Sequence, residues 1–265
     1  MKRYKVSISN ELIRNRQSIK ENSKNILSTT EYRIILTLIS LIKPGTQSFT
    51  EHEIPIIDFC RFWNISNGGT QVKSLSESVK NLCTKTFSVR NKTVKWLDDN
   101  SYINNGMMFI SLDSSMSEFI LNMNGNFTEI DLNNLLYLKS KYSINLYLFL
   151  KSLLNQNFYN IKLKDAYIKF GDNKYQTKSQ FDKNIIKKAI DEINEKTDIT
   201  VSCRYKKDFG YPEMLTFRIC SKIESTENII SSSKHILDIQ VDDEPPVFNP
   251  IISSDFKYNE SNLPF

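Results

Sequence analysis

Histidine is nearly missing from this chain, which has only His52 and His235 in 265 residues. The four cysteines, Cys60, Cys83, Cys203 and Cys220, form no C-x-x-C pair. Zinc-type ligand spacing is therefore absent, and the thiols read as reduced side chains in a reducing compartment. No His-x-His occurs, which removes the metal-binding pair that a nicking nuclease needs. No Gly-x-x-x-x-Gly-Lys loop occurs either, which argues against an intrinsic ATP-driven motor. No apolar run reaches the ~18 residues of a membrane span. The longest candidate, Ile34 to Ile42, is interrupted by Thr37 and Ser40. Met1-Lys2-Arg3-Tyr4-Lys5 is basic, but no apolar signal core follows it. A soluble, cytoplasmic protein with no catalytic centre, metal or cofactor is expected. Glycine, at seven residues, and alanine are sparse, whereas isoleucine, lysine and asparagine are abundant, a bias of A·T-rich coding.

What the chain does have is unevenly placed charge. Residues 1–130 hold 16 Lys and Arg against 12 Asp and Glu, and residues 131–223 hold 17 against 10. Residues 224–265 hold 2 against 8. The body is thus strongly basic and the end acidic. A basic body favours a polyanion through counterion release and steering. From about Glu224, Ser231-Ser232-Ser233, Asp242-Asp243-Glu244 and Pro245-Pro246 mark a flexible acidic tail.

Ser28-Thr29-Thr30-Glu31 has the spacing of a capping box, and an apolar helix from about Thr30 to Leu41 follows, ended by Pro44-Gly45. Gln47 to Glu53 reads as a strand and Ile56 to Trp63 as a short helix. Asn64 to Gly69 is a turn, and Thr70 to Asn81 is a second helix with Val72, Leu75 and Val79 inward. Two helices across a Gly-containing turn form a helix-turn-helix candidate. Thr86 to Arg90, Val94 to Leu97 and Met107 to Leu112 read as strands, with Asn104-Asn105-Gly106 as a tight turn. This is the order of a winged helix.

The order then repeats. Leu132 to Leu138 and Ser143 to Leu154 read as helices, Ile161 as a strand position and Lys164 to Phe170 as a short helix. From Tyr175 runs a long amphipathic helix with Phe181, Ile185, Ile186, Ala189, Ile190 and Ile193 at spacings of three and four. Its other half collects Gln176, Thr177, Gln180, Lys183, Asn184, Lys187, Lys188 and Asp191. A solvated surface helix would carry such residues. So would a helix that reads DNA, because Lys neutralises phosphate and Asn or Gln pairs with adenine. Alternating residues Ile199 to Tyr205 and Leu215 to Ile219 form a hairpin with Lys206-Lys207-Asp208-Phe209-Gly210 at its tip. The expected fold is α+β, two tandem winged-helix domains with a flexible acidic tail. The expected divisions are 1–125, 126–223 and 224–265, with the domains joined through a helix after Asn126.

Several segments together resemble the iteron-binding, tandem winged-helix family of plasmid replication initiators. They are Val6-Ser7-Ile8-Ser9-Asn10-Glu11-Leu12-Ile13, then Leu138-Lys139-Ser140-Lys141-Tyr142-Ser143 with Leu146-Tyr147. Further along come Phe181, Ile186, Ala189, Glu192-Ile193-Asn194 and Thr197-Asp198-Ile199. The resemblance covers about residues 5–220. It implies binding to direct repeats at an origin, with the second domain supplying the main base-reading helix. It implies that the first domain supports DNA contact and mediates dimerisation. Monomers would initiate, and dimers would repress the initiator's own promoter or restrain copy number. The implied partners are a host replication initiator and a replicative helicase. Family members often carry arginines on the reading helix. Lys, Asn and Gln here point to A·T-richer contacts.

From the residues, Gln180, Lys183, Asn184 and Lys187 are expected to enter a major groove, with Thr177 holding a phosphate at the helix start. Arg204, Lys206 and Lys207 would grip the flanking backbone, and Gln71 and Lys73 would do so for the first domain. The ending Leu263-Pro264-Phe265 loosely resembles a sliding-clamp-binding peptide, without the usual Gln or preceding Leu. Two other classes fit parts of the pattern: a winged-helix transcription repressor without an initiator role and, less well, a rolling-circle nicking enzyme.

Overall fold

The computed structural model describes residues 5–15, 17–18, 26–43, 45–123, 125–171, 177–206 and 213–222. The chain opens with strand β1 (Lys5–Ser9), helix α1 (Asn10–Asn15) and the short strand β2 (Gln17–Ser18). Helix α2 (Thr29–Leu41) starts at the expected capping box. The Ser28 hydroxyl accepts from the Glu31 N–H at 3.1 Å, and the Glu31 carboxylate accepts from the Ser28 N–H at 2.6 Å. Glu31 also holds Lys85 Nζ at 2.8 Å, which ties the start of α2 to the end of α4 (Gly69–Thr84).

Between them lie β3 (His52–Pro55) and α3 (Ile56–Phe62). Trp63, buried just past α3, donates its ring N–H to Thr37 of α2 at 2.9 Å. Two hairpins follow, β4 (Thr86–Val89) with β5 (Lys92–Lys95), and β6 (Tyr102–Asn104) with β7 (Met107–Ile110). The second turns on Asn105 and Gly106, both at positive φ (47° and 74°), a conformation that favours Asn-Gly. The wing sheet has the order β3-β7-β6, and β4-β5 pairs with β2 instead. The hairpin nearest α4 in sequence is therefore not the wing.

After α5 (Ser117–Ile120), the segment from Phe127 is a strand, β8 (Phe127–Asp131), and not the start of a helix. Its residues alternate between exposed and buried, and it pairs antiparallel with β1 from Lys5↔Asp131 to Ser9↔Phe127. Backbone bonds thus cross the expected division at 125/126. The helical part shrinks to α6 (Asn133–Leu136), which leads into α7 (Lys141–Lys151).

The second winged helix uses α7, β9 (Phe158–Lys162), α8 (Leu163–Gly171), α9 (Lys178–Phe181), a π-helical turn (Asp182–Ile186), α10 (Lys187–Lys196), β10 (Ile199–Lys206) and β11 (Met214–Ser221). Its sheet order, β9-β11-β10, matches β3-β7-β6 of the first. The repeat read as element order alone extends to sheet topology. The first helices of the two units pack together, with the Tyr32 hydroxyl of α2 donating to Asn145 of α7 at 2.9 Å. One apolar core, from Val6 to Ile219, runs through both.

Candidate nucleic-acid interface

The helix that follows the turn of the second winged unit begins at Thr177, an extended residue whose hydroxyl accepts from the Gln180 N–H at 3.4 Å. This is an N-cap bond and fixes where the helix starts. Phe181, Ile185, Ile186, Ala189, Ile190 and Ile193 are all buried, so the apolar half faces the core as expected. Gln180, Lys183, Asn184, Lys187, Lys188 and Asp191 are all exposed on the opposite side. Among the described residues, Gln180, Lys183 and Asn184 have no side-chain hydrogen bond or ion pair, so their donors and acceptors are available to a ligand.

The helix departs from the expected regular spiral between Asp182 and Ile186. There the Lys187 N–H bonds to the Asp182 carbonyl, an i→i+5 turn. Such a turn brings residues five apart onto one face, and π turns often mark functional sites. Asp182 and Lys187 accordingly form an ion pair at 3.2 Å that α-helical spacing would not allow. Asp182 also accepts from the Tyr205 hydroxyl at 2.9 Å. Burial, with Asp182 beside it, pushes the Tyr205 pKa far above its ordinary value. Burial and the same carboxylate push the Cys203 thiol up to about 11. Both groups stay neutral at physiological pH. The wing strand β10 thus clamps this helix at Asp182 without adding a titratable charge. Lys178 caps the same contact, with its ammonium 4.3 Å from the Tyr205 ring centroid while it pairs with Glu213.

Strand alternation sends Arg204 and Lys206 the other way. Val201, Cys203 and Tyr205 face the helix, whereas Thr200, Ser202, Arg204 and Lys206 stand exposed on the outer face of the sheet. Lys207 lies outside the described residues. In the first unit, Gln71 is half-buried in the first turn of α4, and Lys73 is exposed one position beyond Val72. The chain therefore brings Gln180, Lys183, Asn184 and Lys187 together on one helix. It sets the wing cations on a separate surface and Gln71 and Lys73 on a separate domain. Among the described residues no group of three or more His, Cys, Asp or Glu side chains could hold a metal ion, and no helix is long and apolar enough to cross a membrane.

Two family models match the chain: Initiator Replication protein, WH1, over residues 5–151, and Initiator Rep protein, WH2, over residues 168–219. This chain belongs to the initiator replication protein family. Its architecture is two tandem winged-helix domains. Two crystal structures of domains 2 and 3 of RctB are similar at 11% identity. The first has a TM-score of 0.47 and covers 73% of this chain and 80% of its own; the second has 0.45 and covers 81% and 94%. No curated protein sequence matches the chain.

The motif segments that carry the likeness to this initiator family prove to be fasteners. The Tyr147 hydroxyl donates to Asp198 Oδ1 at 2.9 Å, and Lys151 Nζ meets Asp198 Oδ2 at 2.5 Å. This joins α7 to the start of β10. The Glu192 carboxylate accepts from the Lys139 N–H at 2.7 Å. Asn194 brackets Val201, accepting from its N–H at 2.6 Å and donating to its carbonyl at 2.8 Å. Tyr147 and Asp198 come from segments about fifty residues apart, and they co-occur because they touch. Asp198→Ala should cost about 1–3 kcal/mol, since it strands a buried phenol and a partly exposed ammonium. Urea midpoints would show this, and an unchanged midpoint would mean that the triad contributes nothing to stability.

Sequence reading missed Asp182, Lys178 and Arg33. Asp182 acts through a five-residue spacing that a helical wheel does not group. Arg33 sits 5.6 Å from the Trp63 ring with a buried, unbonded Nε, and burial lowers its pKa. It also missed Lys162 and Arg218, which strand alternation could have found.

Proposed function

We propose that the chain is a sequence-specific DNA-binding initiator of plasmid replication that binds direct repeats at the origin and promotes opening of adjacent A·T-rich DNA. It acts by binding and deformation, without catalysis. The observation that carries this reading is the exposed, unpartnered Gln180, Lys183 and Asn184 on the helix after the turn of the second winged helix. The amides match adenine's donor–acceptor pair in a major groove, and the lysine meets phosphate or guanine. Lys187 adds charge next to them, tempered by Asp182. Thr177 and the helix start hold a phosphate. Arg204, Lys206 and Lys207 grip the flanking backbone, and Gln71 and Lys73 of the first unit make supporting contacts. Two units tied through α2 and α7 hold one duplex at two places, a grip that bends it and stresses flexible A·T-rich steps.

The first half also carries self-association, and the dimer represses the initiator's own promoter. A host replication initiator and the replicative helicase join at the opened segment. The sliding-clamp peptide, Leu263 and Phe265, lies outside the described residues.

The test is gel-shift binding to repeats flanking the gene at several salt concentrations. Binding to repeats should exceed binding to random duplex by at least about a thousand-fold. The gene plus that DNA should also sustain a plasmid lacking its own origin. Equal affinity for repeats and random duplex would sink the reading.

A further inference from the structure

A second basic surface in this unit lies away from the reading helix. The run from Lys178 to Lys196 holds five lysines against Asp182, Asp191, Glu192 and Glu195. Among the described residues, the outer face of the β9-β11-β10 sheet holds Lys162, Arg204, Lys206 and Arg218 and no carboxylate. The register puts them together. Lys206 lies opposite Met214, which lies opposite Lys162; Arg204 lies opposite Thr216; and Arg218 lies opposite both Ser202 and Phe158. Phe158 is 52% exposed, with the Arg218 guanidinium 5.9 Å from its ring centroid. This face points away from the side that Tyr205 presents to the reading helix. A duplex seated on that helix leaves much of the face uncovered.

We propose that this face is the docking surface for the chain's own acidic segment, Asp242-Asp243-Glu244 with Val247-Phe248, which competes there with nucleic acid. Three observations select that occupant. Residues 224–265 carry 8 Asp and Glu against 2 Lys. The acid triplet is followed within four residues by Phe248, an apolar partner for Phe158 at the edge of the cation patch. The segment also leaves the same sheet, because β11 ends at Ser221 in the central strand. Nineteen residues lie between Lys222 and Asp242, a span of up to roughly 70 Å when extended. That exceeds the ~27 Å length of an eight-residue strand. A tether of this kind gives an effective concentration in the mM range, so even weak ion pairing covers the face for much of the time. Phosphates arriving at Arg204 and Lys206 must displace it. Random duplex makes few other contacts and is disfavoured more than specific sites. The proposal takes the wing cations from the reading above, but its first test needs no DNA.

Zero-length carbodiimide coupling of the full chain, read by peptide mass spectrometry, should join Lys162 or Lys206 to Asp242, Asp243 or Glu244. The coupling should fade near 0.5 M salt, where screening is strong. Coupling of those acids to Lys183 or Lys188 instead, or to neither set, overturns the docking site. In the full chain, D242N/D243N/E244Q should raise affinity for random duplex by roughly three- to ten-fold at low salt. Made in a K162A/R218A background, the same triple change should add little. An equal gain in both backgrounds means that the acids act through net charge alone and ends the proposal. If an oligothymidine protects Lys162 from acetylation equally well with and without the triple change, the face is a nucleic-acid platform and the tail is not its occupant.

Discussion

Asn184→Ala is expected to lower affinity for the origin repeats by about 5- to 150-fold while leaving random duplex nearly unchanged. The range follows from the ~1–3 kcal/mol that a bidentate base contact contributes to discrimination. Asn184 is exposed, carries both a donor and an acceptor, and spends neither on the protein among the described residues. Alanine at this position keeps the helix intact, since Ala is the best helix former. Loss of binding therefore reports the amide and not the fold. Lys183→Ala separates two roles. A base contact falls with sequence specificity, whereas a phosphate contact weakens all duplexes alike and lowers the salt slope by about one. Lys80→Ala on the exposed side of α4 is the comparison and should change specific binding far less than either. Equal losses for Asn184→Ala on repeat and random DNA would remove the base-reading assignment.

Much of this helix was legible because its signal is local. Phe181 to Ile193 repeat at helical spacing, and burial followed that spacing through the π turn. The capping box at Ser28 and Glu31 is likewise a four-residue pattern and formed as read. What was not legible depends on pairing at a distance. Phe127 to Asp131 has the alternation of a strand, but five residues before a Leu-rich stretch look like a helix entry. Only β1, more than a hundred residues earlier, makes them a strand. Which hairpin is the wing was not legible for a similar reason. Thr86 to Lys95 and Tyr102 to Ile110 are both good hairpins, and the choice depends on which one pairs with β3. In the candidate site, residue type singled out Gln180, Lys183 and Asn184, and the structure leaves them exposed on one helix. The direction in which Arg204 and Lys206 point required the register against β11. Asp182 was passed over because its partners, Lys187 and Tyr205, lie at spacings that no single periodicity predicts.

The largest expected effect on stability is at the base of the same helix. Phe181 is fully buried, with its ring edge-on to Tyr167 of α8 at 4.8 Å between centroids and an angle of 77°. It is the first buried side chain after the Thr177 cap and the last before the π turn. Phe181→Ala removes that anchor and leaves a cavity at the α8–α9 contact, at a cost of about 3–5 kcal/mol. Against a typical stability of about 5–15 kcal/mol, this is roughly a fifth of the margin or more. Chemical unfolding should show a lower midpoint, and binding to specific and random DNA should fall together as the folded fraction falls. Phe181→Leu keeps most of the volume and should cost much less. The contrast with Asn184 is the informative part. Three residues apart on one helix, one side chain should be needed for the fold and not for reading, and the other for reading and not for the fold. A Phe181→Ala protein with an unchanged midpoint would show that the helix is held mainly by the Asp182–Tyr205 clamp and not by its apolar face.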